Sequence, residues 1–341
     1  MADISLIYRI CETIIGVLGV LGNGLIITVI WRVPFMHTSS IAIICHQAII
    51  DFLGSLLLLL QRNIPVPAQV PQTFGGELLC RVWIGDVTLF LLFVASTYNL
   101  LALTLGRYFN IVHPLRFRLM QSRKGVAAVI VIVWLLAPLI KTYSFLHYSV
   151  VDGQCNFRQL PASKVMGPLI ICLQFFLPMV IMLYCYIHMA VALKRQAKLI
   201  TLKTDDVGQD NTTAEVGRAA QMHQQHQLLK VRRDIFETLV VVFVTFVVCW
   251  APSQVAYFMF NIGLLELDVK GPVHIISTIM TASNCCLNPI IYCFKYKLFR
   301  RAMRTMIGRP DNEQFDGLIQ TAATNTTQNY NMQELKMTVN E

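Results

Sequence analysis

The feature that most constrains this chain is a series of seven long apolar segments. These segments are Leu6–Trp31, Ser39–Gln61, Leu79–Val112, Gly125–Phe145, Met166–Leu193, Ile235–Ile262 and Gly271–Phe294. Each provides about the 20 predominantly apolar residues that a helix needs to cross the hydrocarbon core of a bilayer. A helix also satisfies its own backbone hydrogen bonds there, where no water is available. We therefore predict an all-α membrane protein, a bundle of seven transmembrane helices.

The composition agrees with this class. Of the 341 residues, 55% are hydrophobic and 14% are charged, whereas soluble domains average about 25% charged residues. The third segment, Leu79–Val112, is longer than a bilayer is thick, so we expect that helix to tilt or to project from the membrane.

The basic residues predict the orientation. The net charge of +9 could indicate a nucleic-acid-binding protein. However, all but seven of the 28 lysines and arginines lie on one side of the alternating segments, and the exceptions are Arg9, Arg62, Arg81, Lys141, Arg158, Lys164 and Lys270. Because cytoplasmic loops carry the excess of basic residues, the N-terminus is expected outside and the C-terminus in the cytoplasm. The charge then reflects membrane topology and contact with anionic lipid, and we expect no nucleic-acid partner.

The remaining segments complete the domain plan. Residues 1–5 form a short extracellular N-terminus and residues 6–294 the membrane domain, with a polar cytoplasmic loop at about 198–227 that is expected to be disordered. Apolar residues recur at helical spacing opposite a basic face in Lys295–Ile307, which predicts an amphipathic helix on the membrane surface. Residues 308–341 form a polar tail that is also expected to be disordered.

Two of the ten cysteines stand apart from the rest. Eight lie in apolar segments, where cysteine usually serves as a small buried side chain. Cys80 and Cys155 lie outside, at the start of the third segment and in the loop after the fourth. Since the exterior is oxidising, we expect these two thiols to form a disulfide.

Several polar residues and prolines interrupt the apolar segments. Arg107 lies near the cytoplasmic end of the third segment, and Asp51 is a lone carboxylate in the second. Charges in such segments are costly and mark functional sites unless a long side chain reaches the interface. Pro252 and Pro289 each remove a backbone hydrogen bond and loosen their helices.

These features occur in an order that resembles the rhodopsin-like (class A) G-protein-coupled receptors. The resemblance covers about residues 6–307, and its markers are Gly22-Asn23, Asp51, Cys80, Arg107-Tyr108, Trp134, Pro178 with Tyr186, Cys249-Trp250-Ala251-Pro252 and Asn288-Pro289-Ile290-Ile291-Tyr292. The resemblance implies a receptor that binds an extracellular ligand and activates heterotrimeric G-proteins, in the plasma membrane. It implies no catalytic activity.

The resemblance also assigns roles to residues. The set for G-protein coupling and activation is Arg107, Tyr108, Tyr186, Phe246, Trp250, Pro252, Asn288, Pro289 and Tyr292. Asp51, Ser96, Asn284 and Asn288 match the family's sodium pocket, and Cys80 and Cys155 match its loop-tethering disulfide. No other cofactor is expected. Threonines in the tail could accept phosphate from a receptor kinase and recruit arrestin.

Two departures from the family pattern concern Arg107. The acidic residue that usually precedes this arginine is replaced by Gly106, and the acid near the start of the sixth helix is replaced by Arg232. Asp234 and Glu237 are close to that second position and could substitute. If neither does, nothing holds Arg107 at rest, and we hypothesise raised basal signalling.

The ligand is constrained less firmly. Candidate pocket residues at the outer ends of the helices are Gln61, Arg62, Trp83, Asp86, Gln174, Trp250, Gln254, Tyr257 and His274. Aminergic receptors place an aspartate where this chain has Leu89, which disfavours an amine, and the seventh segment lacks the lysine of light receptors. The third helix resembles the neuropeptide branch, in the manner of galanin- or somatostatin-type receptors, and favours a short peptide. The alternatives are a small molecule, either an amine or a metabolite, and, from another class, a seven-helix transporter. Against a transporter stand the missing internal repeats.

Overall fold

The computed structural model describes residues 2–113, 122–158, 160, 162–205, 213–265 and 271–309, and it contains seven helices long and apolar enough to cross a membrane. We label them α1 to α7. Six of them are single elements: α1 Ala2–Arg32, α2 Ser39–Asn63, α3 Val87–Val112, α4 Arg123–Phe145, α6 Thr213–Asn261 and α7 Pro272–Lys295. Helix α5 runs through three segments, Ser163–Ile171, a π-helical turn Cys172–Phe176, and Leu177–Asp205. The predicted all-α seven-helix fold is confirmed.

The helices form one bundle around a shared apolar core. Helix α1 packs against α2 and α7, α3 packs against α2, α4 and α5, and α6 packs against α5 and α7. Many large apolar side chains instead point outward, such as Leu135, Leu139 and Phe294. In water such a surface would be unstable, but it suits the apolar interior of a bilayer. The fold is thus that of a multi-pass membrane protein.

The third predicted segment is not one long helix. Its first part, Leu79–Ile84, is a π-helical turn. Gly85 and Asp86 then interrupt the helix, and α3 begins at Val87. Asp86 adopts a left-handed backbone conformation (φ 55°), and the ring of Tyr148 lies so close to Gly85 that an added Cβ would be 2.8 Å from it. The residues before Val87 thus form a separate turn, and α3 with its 26 residues still exceeds the roughly 20 that a bilayer requires, so its tilt or projection stays a prediction.

A β-hairpin closes one end of the bundle, which we call the hairpin end. Strand β1 (Tyr148–Val151) pairs antiparallel with β2 (Gln154–Phe157), with Val150 opposite Cys155. Asp152 and Gly153 both have positive φ, as a two-residue hairpin turn of type I′ requires. The predicted disulfide is confirmed, because Cys155 is bonded to Cys80 at a Cα–Cα distance of 5.3 Å.

At the other end of the bundle the helices continue beyond their predicted limits. The sequence predicts disorder across 198–227, but α5 is helical to Asp205 and α6 is helical from Thr213. The predicted amphipathic helix forms α8, Lys297–Met306, and its apolar residues Phe299 and Ala302 are buried against the bundle. We call this the α8 end. The predicted disordered tail lies outside the described residues, apart from its first two.

Candidate ligand cavity and signalling core

A cavity of about 960 Å³ opens among the helices at the hairpin end. This volume lies at the upper end of the range for sites that bind drug-sized molecules. Six of the predicted pocket residues line it: Arg62, Asp86, Gln174, Gln254, Tyr257 and His274. The other three, Gln61, Trp83 and Trp250, are not part of its lining. The amide of Gln61 donates instead to the backbone oxygen of Trp83 at 3.0 Å, which fastens α2 to the π-helical turn.

One wall of the cavity carries a cluster of three charged side chains, Glu12, Arg62 and Asp86. The guanidinium of Arg62 donates to both carboxylate oxygens of Asp86, at 2.9 and 3.3 Å, and its Nε donates to Oε2 of Glu12. Glu12 is 0% exposed, and its second oxygen, Oε1, has no hydrogen-bond partner within the described part of the chain, although the phenol of Tyr8, which also lines the cavity, lies close to this carboxylate. With two carboxylates and one guanidinium, the cluster has a formal charge of −1.

Glu12 was missed as a pocket residue by sequence reasoning, although a signal was present. It is an acidic residue inside the apolar run of the first segment, the same kind of feature that singled out Asp51 in the second. Its role depends on Arg62, which is 50 positions away along the chain. No helical spacing within the first segment could have indicated that pairing.

Helix α4 contributes a positively charged side chain, Lys141, to the cavity lining. Lys141 is only 7% exposed, and its Nζ donates to Oε1 of Gln174 at 2.8 Å. Gln174 in turn donates to Oε1 of Gln254 at 2.6 Å, so that a polar chain joins α4, α5 and α6. The ammonium also lies 5.3 Å from the centre of the Phe90 ring, in a cation–π contact. No ion pair joins Lys141 to a carboxylate among the residues that the structure describes.

The hairpin contributes Tyr148 to the cavity lining. Burial raises the pKa of the Tyr148 phenol to about 12, and the nearby Asp86 carboxylate acts in the same direction. A phenol is protonated at neutral pH in any case, and the raised pKa extends this state into the alkaline range, so this part of the lining is a neutral hydrogen-bonding group. The ring also rests on Gly85, which positions it over the start of α3.

The floor of the cavity is aromatic and reaches into the core. Phe93 lines the cavity and meets the buried Trp250 edge-on, with ring centres 6.1 Å apart. Trp250 contacts Phe246 at 5.9 Å, and Phe246 contacts Phe175 at 5.8 Å. Trp250 thus lies beneath the cavity without lining it, two residues before Pro252 in α6. These aromatic contacts connect the floor of the cavity to the part of α6 that contains Pro252.

Deeper in the bundle, hydrogen bonds connect α4 to α2 and α3. The indole of Trp134 donates to Nε2 of His46 at 3.0 Å, and Nδ1 of His46 lies 2.8 Å from Oδ1 of Asn99. Since Nε2 accepts, the proton of this histidine is on Nδ1. Asn99 then donates to Oε1 of Gln47 at 2.8 Å. The chain of hydrogen bonds thereby reaches the residue next to Asp51 on the helix face.

The carboxylate of Asp51, the centre of the predicted sodium pocket, is surrounded by hydrogen-bond donors from the protein. Nε2 of Gln47 lies 3.1 and 3.0 Å from the two Asp51 oxygens and 2.5 Å from Oγ of Ser96. Ser96 and Asn288 also donate to the carboxylate, at 2.8 and 2.9 Å. The Gln47 amide therefore occupies the space in which a cation would contact Asp51 and Ser96. In this arrangement the residues do not fit a sodium ion.

The two acidic residues that could pair with Arg107, Asp234 and Glu237, form ion pairs with other residues. Asp234 bonds to Lys297 at 2.7 Å, and Glu237 bonds to Arg233 at 2.9 Å. Both acids that could have substituted for the missing family partner are thus paired elsewhere. Across the described ranges, no carboxylate forms an ion pair with Arg107. An added Cβ at Gly106 would meet nothing within 4 Å, so the absent acid is not excluded by space.

Hydrogen bonds without a carboxylate partner join the helices here instead. Arg232, which stands where the family often has an acid, donates to Oε1 of Gln196 at 3.1 Å. The amide of Gln196 donates to the backbone oxygen of Ile111 at 3.3 Å. These contacts link α6 to α5 and α5 to α3 without involving Arg107.

The two predicted activation tyrosines are both buried but differ in their contacts. The hydroxyl of Tyr186 donates to the backbone oxygen of Leu239 at 3.1 Å and lies 3.2 Å from Oγ1 of Thr104. The hydroxyl of Tyr292 has no hydrogen-bond partner in the described ranges. Tyr108 lies apart from both, with its ring 6.4 Å from the His188 ring. Pro289 lies within α7, three residues before Tyr292.

Comparison with known proteins agrees with this architecture. The family model described as "7 transmembrane receptor (rhodopsin family)" matches residues 22–292. A cholecystokinin receptor of Xenopus laevis is 26% identical, with 88% of this chain and 77% of the relative covered. Neuromedin-U receptor 1 of Rattus norvegicus is 27% identical (88% and 73% covered), and octopamine receptor beta-2R of Chilo suppressalis is 23% identical (86% and 78% covered).

Proposed function

Because this chain belongs to the rhodopsin family of seven-transmembrane receptors, we propose that it binds a short neuropeptide at the hairpin end and activates heterotrimeric G-proteins at the α8 end. A G-protein-coupled receptor is not an enzyme, and the seven membrane-spanning helices exclude a soluble protein. The observation that carries the proposal is the cavity of about 960 Å³, which is lined by charged groups and contacts α6 through Phe93 and Trp250.

The orientation follows from charge. The basic residues are concentrated at the α8 end, where α8 itself carries Lys297, Arg300, Arg301 and Arg304. The positive-inside rule therefore supports a cytoplasmic α8 end, an extracellular hairpin end and an N-terminus outside, in the plasma membrane. The disulfide at the hairpin end suits the oxidising exterior.

Geometry favours a peptide over an amine. Relatives include receptors named for cholecystokinin and neuromedin-U as well as one named for octopamine, so sequence similarity does not distinguish a peptide ligand from an amine. Leu89 lines the cavity at the position where aminergic receptors place an aspartate, and Asp86 is already paired with Arg62. A small amine or metabolite is the second candidate. The family match removes the reason to consider a transporter.

Signal transfer would run through the aromatic floor. A ligand that shifts Phe93 changes the packing of Trp250 and Phe246 in α6, and Pro252 lets the two halves of that helix move separately. Outward movement of α6 would break the contact between Tyr186 and Leu239 and expose Arg107 to a G-protein. Arrestin and a receptor kinase are proposed as further partners at the tail, which lies outside the described residues.

The proposal can be tested before any ligand is known. The receptor reconstituted in lipid discs should accelerate nucleotide exchange on purified G-proteins above the level of empty discs, and Arg107→Ala should remove this activity. A peptide and small-molecule library screened on cells with promiscuous G-protein reporters should then yield activators, with peptides prominent among them. Exchange equal to that of empty discs, together with no activator from either class, would contradict the proposal.

A further inference from the structure

We propose that the cavity takes a ligand with two charged groups of opposite sign: a protonated amine that binds Glu12 and a carboxylate that binds Lys141. A short peptide with a free amino end and an acidic group is such a ligand. The inference rests on the proposed function, since it concerns the ligand of the same cavity, but it specifies chemistry that the family assignment does not.

The cationic group of the ligand is indicated by Glu12. This side chain is 0% exposed, lines the cavity and leaves Oε1 without a hydrogen-bond donor in the described part of the chain. A buried carboxylate oxygen without a donor is unfavourable, because it has lost its water and gained no replacement. Arg62 directs its Nε to Oε2 and its two Nη atoms to Asp86, and none of its N–H groups bonds to Oε1. A ligand ammonium, with three donors and one positive charge, would satisfy Oε1 and bring the cluster from −1 to neutral.

The anionic group is indicated by Lys141. Its ammonium is almost fully buried, and its only hydrogen bond in the described ranges goes to the neutral amide oxygen of Gln174. A buried charge is normally paired with an opposite charge, because desolvation is otherwise uncompensated. The Phe90 ring compensates in part through the cation–π contact. A ligand carboxylate would complete the pair, and the cavity is open to Lys141.

The two charges enter from different sides of the bundle. Helix α1, which carries Glu12, packs against α2 and α7, whereas α4, which carries Lys141, packs against α2 and α3. One small amine can therefore engage the Glu12 side but leaves Lys141 unpaired. A ligand with separated amine and carboxylate engages both, and Phe93 of the aromatic floor lines the same cavity.

The test uses a library of short synthetic peptides in four forms: both ends free, the amine acetylated, the carboxylate amidated, or both ends blocked. Receptor activation is read with a G-protein biosensor, and binding is read separately from the melting temperature of the purified receptor. Active peptides should be found among the free forms. Removal of either charge should lower potency roughly 30-fold or more, the lower end of the loss found when one partner of a buried charge pair is removed.

Variants assign each charge to its partner. Glu12→Gln should abolish the difference between free and acetylated peptides, and Lys141→Met the difference between free and amidated peptides, while each leaves the other difference intact. The controls are Asp152→Asn in the hairpin turn and Lys164→Met on α5, which are exposed residues outside the cavity lining. Both controls should keep the wild-type pattern.

The outcomes separate the inference from the proposed function. If blocked peptides activate as well as free ones, the receptor function stands and the two-charge ligand is excluded. If free peptides raise the melting temperature with the predicted charge dependence but no G-protein responds, the inference stands and the proposed function fails. Equal loss of potency for all four peptide forms in both variants would also overturn the inference.

Discussion

The ammonium of Lys297 lies 2.7 Å from a carboxylate oxygen of Asp234, which ties α8 to α6. Asp234 is the nearest substitute for the acid that would hold Arg107 at rest in the family pattern, and this contact occupies it. Glu237 is likewise occupied by Arg233. Arg107 therefore lacks an acidic partner within the described ranges, which supports the hypothesis of raised basal signalling.

Restoring the family's acid should lower that signalling. Gly106→Asp places a carboxylate beside Arg107 in open space, and a partly exposed ion pair of this kind contributes about 0.2–1 kcal/mol. We expect basal G-protein activation, measured with a biosensor at equal surface expression, to fall by a factor of about 1.4 to 5. Gly106→Asn is the matched control, because it adds nearly the same volume without charge and should have little effect. Equal basal activity in the wild type and Gly106→Asp would refute the hypothesis.

The pocket around Asp51 should not respond to sodium. Since the Gln47 amide bonds both carboxylate oxygens, the melting temperature of the purified receptor should be the same in sodium chloride and in N-methyl-D-glucamine chloride at equal ionic strength. Gln47→Leu vacates the space and should create a sodium response. An ion present at ten times its Kd would then stabilise the variant by about 1.4 kcal/mol.

Gln61→Leu serves as the control for this experiment, because it removes a glutamine amide from the other end of α2. Sodium-dependent stabilisation of the wild type would show that Gln47 gives way to the ion. A Gln47→Leu variant that ignores sodium would show that the amide is not what keeps the ion out.

The Cys80–Cys155 bond should account for a measurable part of the stability. It closes a loop with a sequence separation of 75 residues and holds the hairpin over the cavity. Its removal should lower the free energy of unfolding by about 2–4 kcal/mol. Because either substitution alone breaks the bond, Cys155→Ser and the double variant with Cys80→Ser should be equally destabilised. Cys172→Ser removes an exposed free thiol and should behave like the wild type. A double variant much less stable than Cys155→Ser would indicate a role for the Cys80 thiol beyond the bond.

Tyr148 should make the stability depend on pH in the alkaline range. Its pKa is about 12 in the folded protein and about 10 when unfolded, so the unfolded state loses its proton first as the pH rises. The stabilising contribution is fully present below pH 10 and is lost as the pH rises through 12, by about 2–3 kcal/mol in total. The measurement is the free energy of unfolding of the wild type minus that of Tyr148→Phe, which cancels other titrating groups. A difference that stays constant from pH 9 to pH 12 would contradict the assignment.

Sequence reasoning predicted the framework of this protein because the relevant signals are local. Membrane-length apolar runs such as Gly125–Phe145 identify a helix without knowledge of its neighbours. The excess of lysine and arginine on one side indicates orientation, and two cysteines outside the apolar runs indicate a disulfide. The order of Asp51, Arg107, Trp250 and the Asn288-Pro289 pair was enough to indicate the family. Each of these inferences needed only residue type, spacing and order along the chain.

The candidate site depended on which side chains meet, and only the tertiary structure decided that. Glu12 and Arg62 are far apart in the sequence, and their contact requires α1 and α2 to pack in one particular rotation and register. The same holds for Asp234, whose partner proved to be Lys297 on another helix. A helical period specifies the direction of a side chain relative to its own helix and says nothing about what lies opposite. For the same reason the contact between Gly85 and the Tyr148 ring was not predictable, since it depends on where the hairpin lies.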